Sequence, residues 1–295
     1  MPDGPSIVIP AHNEERTLGR LLDGLLADLP DGPAEGEFDL VVVCNGCTDG
    51  TARVAASYGP RVRVVETPVP SKHEALRLGD AHAHGFPRIY VDADVELGAA
   101  DARALTAALR GPGAVLAAAP DRELPMTGCS WPVRAYYRVW QRLPAVRDGL
   151  FGRGVIAVSG EGHARLAALP PLMADDLAAS LAFAPAERTV VPSARVVVRP
   201  PRTWPDLIRR RVRAATSTAQ LEAHQDRSAP AGTPAPPSAR TGLGDLAALL
   251  RADPTLLPAL VVFLTAALVA RRGARRAVRS GDFATWLRDE SSRRD

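Results

Sequence analysis

The sequence predicts an α/β fold: a Rossmann-like, mostly parallel central sheet flanked by helices, with a helical C-terminal appendage. Three observations carry this. Between Ser6 and Leu97, short apolar runs alternate four times with helical or turn-rich segments, as in right-handed βαβ units. Each run ends in polar residues, and open sheets of this kind hold ligands beyond the carboxyl ends of their strands. A proline-rich stretch then separates a last, arginine-rich segment from the rest. The expected organisation is one α/β domain over 1–227, a linker or loop over 228–241, and a helical segment over 242–295 suited either to membrane association or to docking on that domain.

The elements follow in order. Ser6-Ile7-Val8-Ile9-Pro10 reads as a strand closed by proline. Leu18, Leu21, Leu22, Leu25 and Leu26 recur at helical spacing on one face. A second strand runs from Phe38 to Val43 and leads into Cys44-Asn45-Gly46-Cys47-Thr48-Asp49-Gly50-Thr51, where Asn45-Gly46 signals a turn and Thr48 or Asp49 suits a helix cap. The third strand, Val62 to Val65, precedes Lys72-His73-Glu74-Ala75-Leu76. The fourth apolar run, Ile89-Tyr90-Val91, ends in Asp92-Ala93-Asp94. Further on, Ala114 to Ala119 and Val155 to Val158 read as strands, and Gly160 to His163 opens a helix. Trp131 to Val146 is helical with aromatic residues at core spacing, Arg188 to Arg199 is an edge strand, and Trp204 to Glu222 is a basic helix.

Asp92 and Asp94 are the most informative residues. Two carboxylates one residue apart at the mouth of a sheet suit a hard divalent cation, since Mg²⁺ is commonly held by one or two carboxylates together with substrate phosphates. The bland alternative is helix capping. The net charge of +3 is too small to imply nucleic acid. Lys72 is the single lysine; the other basic residues are all arginine, which fits a GC-rich coding sequence, the sharper reading being that Lys72 serves the site. Cys44-x-x-Cys47 lacks a second Cys or His pair at zinc spacing. Three cysteines, no signal peptide and a strand at residue 6 fit a reducing cytosol.

Taken together, these motifs resemble the family 2 glycosyltransferases with the GT-A fold. Ile9 to Glu15 matches that family's first-strand motif. Val43 to Thr51 resembles its second motif, usually Asp-Asp-Gly-Ser-Thr-Asp-Gly-Thr. Lys72 to Gly79 resembles its Lys-x-x-Ala-Leu-x-x-Gly segment, and Val91 to Asp94 matches its metal motif. The match spans roughly residues 5 to 215. It implies a metal-dependent, inverting transfer of a sugar, of the hexosyl class, from a nucleoside-diphosphate sugar to an unidentified hydroxyl acceptor. Asp94 and Asp92 would hold Mg²⁺ or Mn²⁺. Pro10, Asn13, Glu14, Asn45, Asp49, Lys72, Asp92, Arg210 and Arg213 would bind the donor. Asp176, with Asp175 beside it, would supply the base, the alternative being a simple helix cap. Two departures stand out: Asn45 replaces an Asp, and Ala214 stands where the family's Gln/Arg-x-x-Arg-Trp motif has Trp.

Other readings differ in kind. A sugar nucleotidyltransferase would carry a Gly-rich basic loop after the first strand, where this chain has Pro10-Ala11-His12-Asn13-Glu14. A non-catalytic nucleotide-sugar binder or a membrane-associated adaptor remains the runner-up. Leu256 to Ala270 is uncharged but broken by Pro258, and Arg271, Arg272, Arg275, Arg276 and Arg279 follow. That length is short of the roughly 20 residues of a spanning helix. It suits either peripheral contact with an anionic membrane, and with it a lipid-linked acceptor, or docking onto the catalytic domain. The expected location is cytoplasmic, with the inner face of the membrane as the site of any such contact.

Overall fold

The structure, a computed structural model, describes residues 4–27, 37–111, 113–169, 175–228 and 241–280. Numbered along the chain, its first half runs β1 (Ser6–Ala11), α1 (Leu18–Leu26), β2 (Asp39–Asn45), α2 (Thr51–Ala56), β3 (Arg63–Thr67), α3 (Lys72–His82), β4 (Arg88–Val91), β5 (Val95–Glu96), α4 (Ala99–Ala108) and β6 (Ala117–Glu123). Then come α5 (Trp131–Trp140), α6 (Pro144–Asp148), β7 (Val155–Val158), α7 (Gly160–Ala167), α8 (Asp175–Leu181), β8 (Arg188–Val198), α9 (Trp204–Ser228), α10 (Leu243–Ala252) and α11 (Leu257–Ser280).

The chain forms two compact units. The first comprises residues 1–124, 152–170 and 182–198 and contains the whole sheet. The second comprises 125–151, 171–181 and 199–295. These units cut the chain differently from the composition break at 227/228, because α5 and α9 pack against α11. Most of the proline-rich segment, residues 229–240, lies outside the described residues.

The sheet order is β3-β2-β1-β4-β7-β6-β8-β5. The pairs β1–β2, β1–β4, β2–β3 and β6–β8 are parallel; β4–β7, β6–β7 and β5–β8 are antiparallel. The chain steps outward from β1 to β3 and then returns to place β4 on the other side of β1. The strand order therefore reverses at β1/β4, and a crevice for ligands opens at such a switch point. Strands β1, β2 and β4 are buried on both faces, which explains why they read as continuous apolar runs rather than alternating ones.

Helix α1 buries the five leucines whose spacing predicts it, each contributing about 1.5–3 kcal/mol when fully buried. Helix α3 rides close to the sheet at Gly79, where a Cβ would come within 2.3 Å of Val8 Cγ1. That close approach is the physical reason for glycine there.

Five expectations need correction. The helix read over Trp131–Val146 is two, α5 ending at Trp140 and α6 starting at Pro144, and Trp131 is exposed rather than in the core. The strand placed at 114–119 runs from Ala117 to Glu123. The strand over 188–198 is not at the edge, because β5 pairs with its last residues. The basic helix from Trp204 continues past Glu222 to Ser228. The apolar segment near 256–270 is not interrupted by Pro258, which sits in the first turn of α11 where its missing N–H costs no bond; the helix runs on through the arginines.

Candidate active site

Within the first unit, a connected set of contacts gathers the ends of β1, β2 and β4 and the start of α3. Asn13 follows β1 with φ 54°, in the left-handed region that asparagine tolerates better than most residues. Its Oδ1 accepts from Thr48 N (2.7 Å) and Thr48 Oγ1 (3.3 Å), tying the loop after β1 to the loop after β2. Glu14 N donates to Thr51 Oγ1 (2.8 Å), and Glu14 Oε2 accepts from Thr17 Oγ1 (2.7 Å), so this carboxylate is largely buried. Asp49 Oδ1 accepts from Thr51 N (3.0 Å) in a local turn just before α2, whose N-cap is Gly50 rather than Thr48 or Asp49, while Oδ2 accepts from Glu15 N (3.3 Å).

Asn45, at the last position of β2, is 3% exposed. With its amide oriented to satisfy both neighbours, Nδ2 donates to Ala11 O (2.7 Å) and Oδ1 accepts from Ser71 N (3.3 Å). His12 Nδ1 lies 2.6 Å from Asn45 O. Asn45 thus joins β1, β2 and the cap of α3, a task that needs both a donor and an acceptor; Asp would supply only acceptors. Pro10 is buried in β1, in register with Val43.

Lys72 is the first residue of α3, and Ser71 caps that helix by accepting from Glu74 N. Lys72 Nζ lies 2.8 Å from Asp92 Oδ1. From Val91 to Ala99, buried and partly exposed residues alternate, so Asp92 and Asp94 face outward while Ala93 and Val95 face the core. Asp92 N donates to Gly154 O (2.7 Å). Gly154 has φ 66°, and a Cβ there would meet Val95 Cγ1 at 2.6 Å and Asp92 Oδ2 at 3.4 Å, so only glycine lets this backbone lie against the carboxylate turn.

Among the described residues no cluster of three or more His, Cys, Asp or Glu side chains forms a self-sufficient metal cage. Asp92 and Asp94 instead form a two-carboxylate set on an outward-facing turn. Such a partial set fits Mg²⁺ or Mn²⁺, whose remaining positions go to water and substrate phosphate oxygens.

Cys44 and Cys47 lie in the same loop region. Burial pushes the Cys44 thiol up to about 12, and Cys47 Sγ donates to Ala11 O at 3.3 Å. Both behave as packing groups at the base of the loop.

The remaining candidates belong to the second unit. Asp175 begins α8. Asp176 is exposed in its first turn, with Oδ1 accepting from the adjacent Leu177 N at 2.8 Å. Arg210 Nη1 reaches Arg199 O at 3.5 Å, and Arg213 lies one turn further along α9.

Three residues of the site escape sequence reasoning. Ser71 and Gly154 contribute through backbone N–H and C=O, which no side-chain pattern reports. Arg153, only 1% exposed, donates to Pro120 O (2.9 Å) beside Gly154. A glycine on each side of that arginine, just before a strand, was the available signal.

The family model described as "Glycosyl transferase family 2" matches residues 6–158. Over 98 residues the chain is 35% identical to a dolichyl-phosphate beta-glucosyltransferase of Drosophila melanogaster, covering 30% of each chain. Over 94 residues it is 37% identical to a 4,4'-diaponeurosporenoate glycosyltransferase of Staphylococcus aureus (strain USA300), covering 30% of this chain and 24% of that one. The match thus spans under a third of either curated relative. Among solved structures, mannosyltransferase PcManGT from Pyrobaculum calidifontis, in complex with GDP-Man and Mn²⁺, superposes with a TM-score of 0.59 at 24% identity, over 97% of this chain and 83% of that one. Glucosyl-3-phosphoglycerate synthase from Mycobacterium tuberculosis, with Mn²⁺, UDP-glucose and phosphoglyceric acid, gives 0.54 at 23% identity, over 75% and 79%. At these identities the two structures establish a shared fold.

Proposed function

The chain belongs to glycosyl transferase family 2, and we propose that it is an inverting glycosyltransferase moving a hexosyl group from a nucleoside-diphosphate sugar to a hydroxyl acceptor. The observation that carries this reading is the joining of Asn13, Asn45, Asp49, Lys72 and Asp92 with the Asp92–Asp94 turn around the β1/β4 switch point. Family membership and a two-carboxylate set open to phosphate both support a diphosphate donor.

In this reading Pro10, Asn13, Glu14, Asn45 and Asp49 shape and brace the wall that receives the nucleoside. Asp94 and Asp92 would hold Mg²⁺ or Mn²⁺, and such a cation supplies Lewis-acid stabilisation of charge on the departing nucleoside diphosphate. Lys72, already directed at Asp92, adds a positive charge for the same phosphates. Arg210 and Arg213 of α9 are assigned to the leaving group, for which a guanidinium fork is well suited. Asp176 takes the acceptor proton as the hydroxyl oxygen attacks the anomeric carbon, a single displacement that inverts configuration. Its assignment rests on motif order along the chain. Asp175 is the neighbouring alternative.

The test is hydrolysis and transfer with a panel of nucleotide sugars, beginning with GDP-mannose and UDP-glucose, in Mg²⁺ and in Mn²⁺. Turnover is expected to stop with a chelator and return with either cation. Asp94→Asn should keep the fold, weaken Mn²⁺ binding measured calorimetrically, and lose most activity. Full turnover in chelator would remove the metal assignment, and donor binding without any turnover would favour a non-catalytic binder.

A further inference from the structure

Helix α11 carries two opposed faces within the second unit. Ala259, Phe263, Ala266, Ala270 and Ala274 are buried. This face packs on α5 and α9: Phe263 stacks on Tyr136 at 5.2 Å, and a Cβ on Gly273 would meet Val212 Cγ2 at 2.6 Å. On the opposite face Leu257, Val261, Leu264 and Leu268 are exposed, by 54%, 58%, 40% and 55%. Continuing at the same spacing, that face runs into exposed Arg272, Arg275 and Arg276, with Arg271 alongside. Large aliphatic side chains lined up toward water mark an interaction surface.

We propose that this face docks onto an anionic lipid bilayer, with α11 lying in the interface rather than crossing it. Charge complementarity selects the occupant. Helix α11 contains no acidic residue. The nearest preceding acid, Asp253, already accepts from Thr255 N and lies 3.6 Å from Arg138 and 3.7 Å from Arg142. A second copy of the helix therefore offers no carboxylate to answer the arginines, whereas lipid phosphates do. Aromatic placement agrees. Tyr136 meets Phe263 while Arg138 Nη2 meets Thr255 Oγ1 at 2.9 Å, so α5 runs antiparallel to α11. Trp131, at the start of α5 and 58% exposed, accordingly falls toward the arginine end. Indole rings favour the bilayer–water boundary.

The span of Pro254–Ala277 is long and apolar enough to cross a membrane by length and composition alone. The packed alanine face argues for the interface instead. The exposed stripe from Leu257 to Leu268 is only about 17 Å long at 1.5 Å per residue, against roughly 30 Å of hydrocarbon. Docking stands independently of the transfer reading. If that reading also holds, an acceptor at the membrane surface, such as a lipid-linked hydroxyl, becomes the class to test, at the cytoplasmic face where anionic lipid is concentrated.

The experiment is flotation of the full-length protein with vesicles of 7:3 phosphatidylcholine to phosphatidylglycerol and of pure phosphatidylcholine, at low and high salt. Binding is expected only with anionic vesicles at low salt. Arg272→Gln with Arg276→Gln should weaken partitioning roughly thirtyfold, at about 1 kcal/mol per basic residue. Val261→Glu with Leu268→Glu should abolish it. Both double variants sit on exposed positions, and circular dichroism checks that they fold. Donor turnover without vesicles should be unchanged in both, which separates failure of docking from failure of the transfer reading. No binding at low salt, binding indifferent to both variants, resistance to alkaline carbonate extraction, or a dimer that the Glu variants dissociate would each overturn the proposal.

Discussion

Lys72 Nζ lies 2.8 Å from Asp92 Oδ1, so the chain's single lysine is paired with the first carboxylate of the Asp-x-Asp turn. Both side chains are about one-third exposed, and exposed pairs contribute only about 0–1 kcal/mol to stability. The pair adds little to the fold, and its proposed role toward the donor can be tested separately. Lys72→Met should therefore barely move the melting temperature. It should raise the donor KM roughly ten- to a hundredfold, the usual worth of a hydrogen bond to a charged group. A large drop in melting temperature with an unchanged KM would reverse this assignment.

Asp176 separates a base from a purely local contact. Asp176→Asn should leave donor binding nearly intact and cut transfer by about 10² or more. If the local contact to Leu177 N is its whole role, Asn retains that bond and transfer hardly changes. If Asp175→Asn is instead the crippling change, the base moves one residue. Donor affinity and single-turnover rates of both variants decide.

Gly154→Ala combines a positive φ with a Cβ 2.6 Å from Val95 Cγ1. Backbone strain of this kind costs about 1–3 kcal/mol. Urea unfolding should show at least that loss. Val95→Ala on the same background should recover the part due to the clash and leave the part due to φ, giving a measurable coupling between the sites. Additive losses would mean that the neighbouring chain simply moves aside.

His163 sets a pH dependence. Burial holds its imidazole below the usual histidine range, with Arg88 acting in the same direction and Asp80, 3.7 Å away, opposing. The unfolded chain thus binds more protons between the two pKa values, so stability rises with pH across that window. The contribution is fully present above about 6.5 and is lost as pH falls through the unfolded value toward the lowered one. His163→Gln should flatten the slope of unfolding free energy between pH 5 and 7. An unchanged slope would place the titration elsewhere.

Much of this protein is legible in its sequence, for reasons of geometry. Continuous apolar runs fixed β1, β2 and β4 because those strands are buried on both faces, and leucine spacing fixed α1 because a helix repeats every 3.6 residues. The order of polar strand ends fixed the family. Tertiary structure decided what depends on partners distant in the chain. The antiparallel insertion of β7 between β4 and β6 is such a case, since pairing across the sheet leaves no local signature. The burial of Asn45 between Ala11 O and Ser71 N is another, since composition shows an amide but not what satisfies it. The two faces of α11 are a third. Its sequence is apolar all round before the arginines, and only packing against α5 and α9 determines which residues remain in water.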